Sequence, residues 1–132
     1  MSITLQQAQA MIAAAHTKAE SIGIKVIGAV VDASGHLIAL SRMDGAPWGS
    51  IDVAINKAYT AAAWGASTAA IADECRPTGS LHSIHFSNHG KLITFGGGEP
   101  LYIQGQLAGA LGVSGGTVEE DVECALTGIS VL

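Results

Sequence analysis

Two tight turns decide most of what this chain can become. Asp32-Ala33-Ser34-Gly35 separates the apolar, β-branched run 24–31 from a similar run at 37–43. Gln104-Gly105 separates 100–103 from 106–113 in the same way. Strands joined by so few residues must pair antiparallel, because a parallel pair needs a long crossover. A further short apolar run, 92–95, reads as a fifth strand. Between and around these strands lie helical patterns. Thr4 with Gln7 forms a capping box ahead of Leu5, Ala8, Ile12, Ala15, Ala19 and Ile22, which recur at helical spacing until Gly23. Pro47 opens a second, alanine-rich helix that runs through Ile51, Ala54, Ala58, Ala61 and Ala62. A short helix at 67–75 stops before Pro77, and Thr117 with Glu120 caps a last helix to Ile129. The order α-ββ-αα-βββ-α predicts an α+β fold built on an antiparallel sheet. No repeat or linker interrupts it, so residues 1–132 are expected to form one domain.

Composition narrows the function classes. The chain is 48% hydrophobic and only 13% charged, with a net charge of -5. A sizeable core is within reach, and few charges remain to cover the surface, so part of that surface is expected to meet another copy. The negative balance and the lack of a basic patch argue against nucleic acid and anionic membranes. Apolar runs break before they reach spanning length. No signal-like leader opens the sequence, so a cytoplasmic location is the default expectation. Cys75 and Cys124 form no close pair and read as reduced thiols.

The segment 95–117 holds eight glycines in twenty-three residues. A strand, a Ser114-Gly115-Gly116 loop and a helix start can bind phosphate. Here no Lys-Ser or Lys-Thr follows the glycines, and 109, 112 and 115 do not make a dinucleotide fingerprint. Glu119, Glu120, Asp121 and Glu123 already complement the helix dipole and would repel an anion. Close packing and tight turns explain these glycines better. Gly96-Gly97-Gly98 also leaves bare backbone beside which a flat ligand could lie.

The stretches VVDASGHLIALSRMDGA, AINKAYTAAAW and GGGEPLYIQGQLAGALGVSGGTVEEDVECALTGI together resemble the GlcG/HbpS family of small heme-binding-like proteins, whose domain also forms the C-terminal part of PduO-type proteins. The resemblance covers nearly the whole chain. It implies a profilin-like α+β fold with a central antiparallel sheet flanked by helices. It also implies homo-oligomers, often octamers, and heme binding in some members, with iron binding in one. Adenosyltransferase activity belongs to a separate domain of the PduO-type proteins and is not implied by these residues. Glu99 departs from the family, where that position is usually apolar, and adds a carboxylate to the pocket or its rim.

Candidate ligands and catalysts follow. His16 lies about 70° from the centre of the first helix's apolar stripe, at the core edge, where an imidazole can meet a bound ring. The resemblance makes it the best axial ligand for heme, with Arg42 or Lys57 meeting propionates and Gly97, Gly98 and Glu99 beside the ring. Lys57, Arg42 and Asp44 match the family pattern and are suited also to internal salt bridges; Asp121 matches the family acid on the last helix, where its plainer reading is work on the helix dipole. His82, His85 and His89 place three of five histidines within eight residues; on a helix they would share one face and could hold iron or zinc. His36, in the hairpin turn, reads as solvated. Cys124 lies off the last helix's apolar stripe, where it could face a subunit contact; the plainer reading is a free thiol with no role. The leading expectation is a small-ligand binding protein with heme or a related tetrapyrrole. The alternative is a small catabolic enzyme acting on an organic acid or aromatic metabolite, with Glu99, Lys57 or the histidines in acid–base or metal-assisted roles.

Overall fold

A computed structural model describes residues 2–132. The chain begins with α1 (Leu5–Ser21), closed at its start by the Thr4–Gln7 capping box. The hairpin β1 (Ile27–Asp32) and β2 (Leu37–Arg42) follows. The Asp32 carboxylate accepts from the amides of Ser34 and His36, which fixes the turn between them. Next come α2 (Ser50–Trp64) and the short α3 (Thr68–Ala72), capped by Ser67. Past residues 73–97 the chain enters β3 (Gly98–Ile103) and β4 (Gln106–Ser114), then α4 (Val118–Ile129) behind the Thr117–Glu120 capping box. Gln104 and Gly105 both have positive φ, 51° and 77°, as a two-residue hairpin turn demands.

The four strands form one antiparallel sheet in the order β2-β1-β4-β3. Alternation along each strand divides the core. Val30, Leu111 and Val113 face one way and pack with Met11, Ile12 and Ala15 of α1 and Cys124 and Ala125 of α4. Ile27, Ala29, Val31 and Ala110 face α2 and its row Ala54, Ala58, Ala61, Ala62. The fold is thus α+β, with helices on both faces of an antiparallel sheet.

The α2 layer lies unusually close to the strands. A Cβ at Gly112 would stand 2.7 Å from the Ala58 amide nitrogen, and one at Gly98 would stand 2.9 Å from the Lys57 carbonyl carbon. Only hydrogen fits in these two places. That is the main structural use of the glycine-rich segment, and it matches the alanines opposite.

Two local expectations fail. Residues 92–95 are not a strand. The Ile93 amide donates to the Thr60 hydroxyl at 2.9 Å, so the segment is tied to α2 and not to a strand neighbour. Pairing starts only at Gly98, opposite Gly112, which leaves four strands where the sequence suggested five. Residues 82–89 are not an α-helix either. They form short 3-10 turns, Ile84–Phe86 and Asn88–Gly90, with Ser83, Asn88 and His89 in the left-handed region.

Candidate functional site

His16 sits on the second half of α1 and is half-buried. Its ring lies above β1 at Gly28, where an added Cβ would be 3.7 Å from Nε2. Nε2 lies 3.1 Å from the Ser41 carbonyl of β2 and donates to it. Burial holds the imidazole below its ordinary pKa of 6.5, although the Ser41 carbonyl and the Glu20 carboxylate pull the other way. The ring is therefore neutral at neutral pH and keeps one nitrogen lone pair.

Around it is an open groove of about 370 Å³, lined by His16, Glu20, Lys25, Arg42, Met43 and Asp44. The helix supplies His16 and Glu20 one turn apart. The end of β2 and the loop beyond supply Arg42, Met43 and Asp44. Met43 is pinned, because its sulfur accepts from the Val26 amide at 3.3 Å. Glu20, Lys25, Arg42 and Asp44 are exposed, and the groove carries two cations and two acids beside one imidazole. Of the residues suggested by sequence, His16, Arg42 and Asp44 meet here. Glu20 and Lys25 were missed. The His16–Glu20 spacing was a usable signal, but Lys25 reaches the groove only because the chain turns back after Gly23.

Lys57 is elsewhere. It is 0% exposed. Its ammonium donates to the Val113 carbonyl at 2.8 Å and to Asp121 at 3.0 Å, and it lies 5.2 Å from the centre of the Phe95 ring. The other Asp121 oxygen accepts from the Gly116 amide at 2.9 Å. Burial pushes the Lys57 ammonium down and the Asp121 carboxyl up, and each partner's charge pulls the other back. This pair ties α2 to the end of β4 and the start of α4. It realises the internal salt bridge that was one of the two expectations for Lys57, and every contact of this ammonium is internal, which leaves none for a propionate or a substrate. Gly97 and Gly98 pack against Lys57 and do not line the groove.

Glu99 is 7% exposed and makes no hydrogen bond or ion pair with its carboxyl among the described residues. It stands opposite Leu111, on the face that holds α1 and α4. Burial raises its pKa above the ordinary 4.5. Neither Lys57 nor a histidine bonds to it among the described residues. His82, His85 and His89 are all exposed, and His85 stacks on Phe86 with ring centroids 4.4 Å apart. Without the helix they share no face, and no group of three His, Cys, Asp or Glu side chains among the described residues is arranged to hold a metal. His36 is solvated, as expected, 3.6 Å from Asp32. Cys124 belongs to the core and not to a subunit contact; burial pushes its thiol up to about 11.

A second groove, of about 460 Å³, opens at the start of α2 between Trp48, Gly49, Ile51 and Asp52. It contains none of the candidate ligands.

Comparison with known proteins decides the family. The family model described as "Haem degrading protein HbpS-like" matches residues 3–130. The chain belongs to the HbpS-like family. Among its relatives, an uncharacterized 15.0 kDa protein from the dhaT–dhaS intergenic region of Citrobacter freundii is 42% identical over 120 residues, covering 91% of this chain and 84% of that protein. The corrinoid adenosyltransferase PduO of the same organism is 36% identical over 132 residues; the match spans all of this chain and only 39% of PduO. A solved structure described as a PduOC:heme complex superposes with a TM-score of 0.95 at 33% identity, covering 100% of this chain and 96% of that one. The HbpS-like assignment agrees with the antiparallel α+β architecture described above.

Proposed function

We propose that this HbpS-like chain binds heme, or a related tetrapyrrole, in the groove at His16. The observation that supports the reading is a neutral imidazole lining an open groove together with two exposed cations, Lys25 and Arg42, and two exposed acids, Glu20 and Asp44. His16 suits the iron and Arg42 and Lys25 suit the carboxylate arms, while Glu20 and Asp44 add acids and Met43 alone offers apolar surface to the ring. Heme iron takes histidine as an axial ligand, and its propionates suit guanidinium and ammonium partners. The similarity to the protein of the heme complex supports the choice of ligand. Bound heme would supply a redox-active iron with an adjustable coordination sphere. The chain's own part is to present the imidazole in its uncharged form, to hold the carboxylate arms at Arg42 and Lys25, and to brace the loop through Met43.

Heme titrations of His16→Ala and His85→Ala against wild type test this. His16→Ala is expected to lose uptake or shift the Soret band, and His85→Ala to match wild type. Equal spectra for wild type and His16→Ala would eliminate the site, and a loss confined to His85→Ala would move it to the 82–89 segment.

We infer also that the chain self-associates. The low charge fraction leaves large apolar side chains outside, with Trp48 77% exposed at its groove and Phe86 78% exposed. Light scattering after size exclusion should report a mass well above the 13.3 kDa chain; a monomer at micromolar concentration would refute this.

A further inference from the structure

The charges of the groove stand apart from those of the rest of the molecule. Four of its six lining residues are charged, Glu20, Lys25, Arg42 and Asp44, in a chain that is only 13% charged. Elsewhere the few cations are engaged. Lys18 pairs with Glu123, Lys57 with Asp121 and Arg76 with Asp73, and Lys91 lies over the Tyr59 ring. The remaining two of the six, Lys25 and Arg42, both line the groove and form no ion pair among the described residues. Glu20 and Asp44 line it too and are equally unpaired. The fold sets these groups in place. Glu20 follows His16 by one turn of α1. The stem of Lys25 lies against the turn that carries Asp44, since a Cβ at Gly45 would stand 3.8 Å from Lys25 Cγ. An ionic guest can pair with all four groups without first breaking a bond inside the protein.

The charge balance selects the guest. Two cations and two acids sum to zero, and the imidazole adds no charge, because burial holds it neutral. A simple anion would satisfy Lys25 and Arg42 and leave the acids; a simple cation would do the reverse. Size and polarity narrow the choice further. Ligand pockets run to about 300–1,000 Å³ and are mostly apolar. At about 370 Å³, with Met43 its one apolar member, this groove suits something small and polar.

We propose that the groove binds a small zwitterion of the amino acid class, whose carboxylate meets Arg42 and Lys25 and whose ammonium meets Glu20 and Asp44. The proposal goes beyond the heme reading and does not rest on it. A porphyrin edge would use the two cations and leave both acids without a partner, whereas a zwitterion uses all four charges. Each exposed ion pair is worth up to about fivefold in dissociation constant. The affinity is therefore modest, on the order of 1 mM, and depends on both ends of the ligand.

The test titrates the whole chain, labelled with nitrogen-15, at low salt, where exposed pairs are least screened. The probes are β-alanine, 4-aminobutyrate and 6-aminohexanoate, zwitterions of increasing length, with butyrate and n-butylamine as molecules that carry one end only. At least one zwitterion should shift the resonances of His16, Glu20, Lys25 and Arg42 to Asp44, and butyrate and butylamine should each bind about fivefold or more weakly. Arg42→Gln should weaken the zwitterion and not butylamine. Asp44→Asn should weaken the zwitterion and not butyrate. Arg76→Gln, whose charge lies outside the groove, should match wild type. No groove shift with any zwitterion at about 10 mM overturns the proposal. Butyrate binding as tightly as the zwitterions overturns it too, and so does wild-type affinity in both groove variants. Heme enters none of these outcomes, so a protein that takes up no heme leaves them standing, and their failure leaves the heme reading to its own titration.

Discussion

The His16 groove and the Lys57–Asp121 pair both place titratable groups near the ends of the central strands, and they treat them in opposite ways. At Lys57 the ammonium has a carboxylate, a carbonyl and an aromatic face, and the carboxylate has an amide on its second oxygen. Nothing there is left over for a ligand. At His16 the groups are exposed or half-buried, the charges are balanced but loosely engaged, and the imidazole has one nitrogen free. Full satisfaction of a buried charge makes structure. Incomplete satisfaction of an accessible one leaves chemistry available. Motif matching treats Lys57 and Arg42 alike; the geometry separates them.

The largest effect expected from this contrast is on stability. Removing one partner of the buried pair, as in Lys57→Ala or Asp121→Ala, should cost about 3–5 kcal/mol, because it strands the other charge. Urea unfolding measures it. Replacing both at once with Met and Leu should recover most of the loss, and a double variant as unstable as the singles would mean that the pair does more than satisfy itself. His16→Ala should cost at most about 1 kcal/mol, the worth of one ordinary hydrogen bond, while it removes ligand uptake. A large stability loss there would erase the distinction between the two regions.

Glu99 sharpens the comparison, since its side chain is largely buried like that of Asp121, but its carboxyl has no protein partner and keeps contact with solvent. Its folded pKa is raised, so the folded state holds the proton more tightly than the unfolded one. The resulting penalty is absent below the unfolded pKa of about 4.3–4.5 and grows as pH rises toward the folded value. Glu99→Gln should therefore be more stable than wild type at pH 7 by about 1–2 kcal/mol, with the gain vanishing near pH 4. Thermal melts across pH check this, and a gain independent of pH would remove the carboxylate as its cause. The smallest expected effect is at Arg42. An exposed ion pair is worth up to about 1 kcal/mol, so Arg42→Ala should weaken heme binding up to about fivefold and leave the melting temperature unchanged. Calorimetric titration would show it, more clearly at low salt.

What could be read from sequence was local. The two hairpin turns and both capping boxes involve partners within a few residues, and each appears where it was expected. What was missed depends on distant partners. The 92–95 run has the composition of a strand, but the hydroxyl that takes its amide is Thr60, 33 positions earlier. An internal salt bridge was open to Lys57 from sequence, but its partner, Asp121, lies 64 positions away, which no spacing rule anticipates. The histidine triad misled for the opposite reason. Its spacing assumed a helix, and three left-handed residues among 83–89 abolish the face on which the spacing depends. In the groove, His16 was accessible to helical periodicity and Arg42 to family pattern, whereas Lys25 needed the turn that brings it back.

The close seat of α2 on the sheet has a further consequence. Where Gly98 and Gly112 meet helix backbone, the two layers touch with no side chain between them. Pressure unfolds proteins chiefly by eliminating the small empty spaces that imperfect packing leaves inside. A contact of backbone on backbone leaves few such spaces, whereas the opposite layer, filled by Met11, Ile12, Leu111 and Val113, must interlock larger shapes. The α2 side is therefore the less compressible half of the molecule, and under hydrostatic load the α1 side, which carries His16, should yield first.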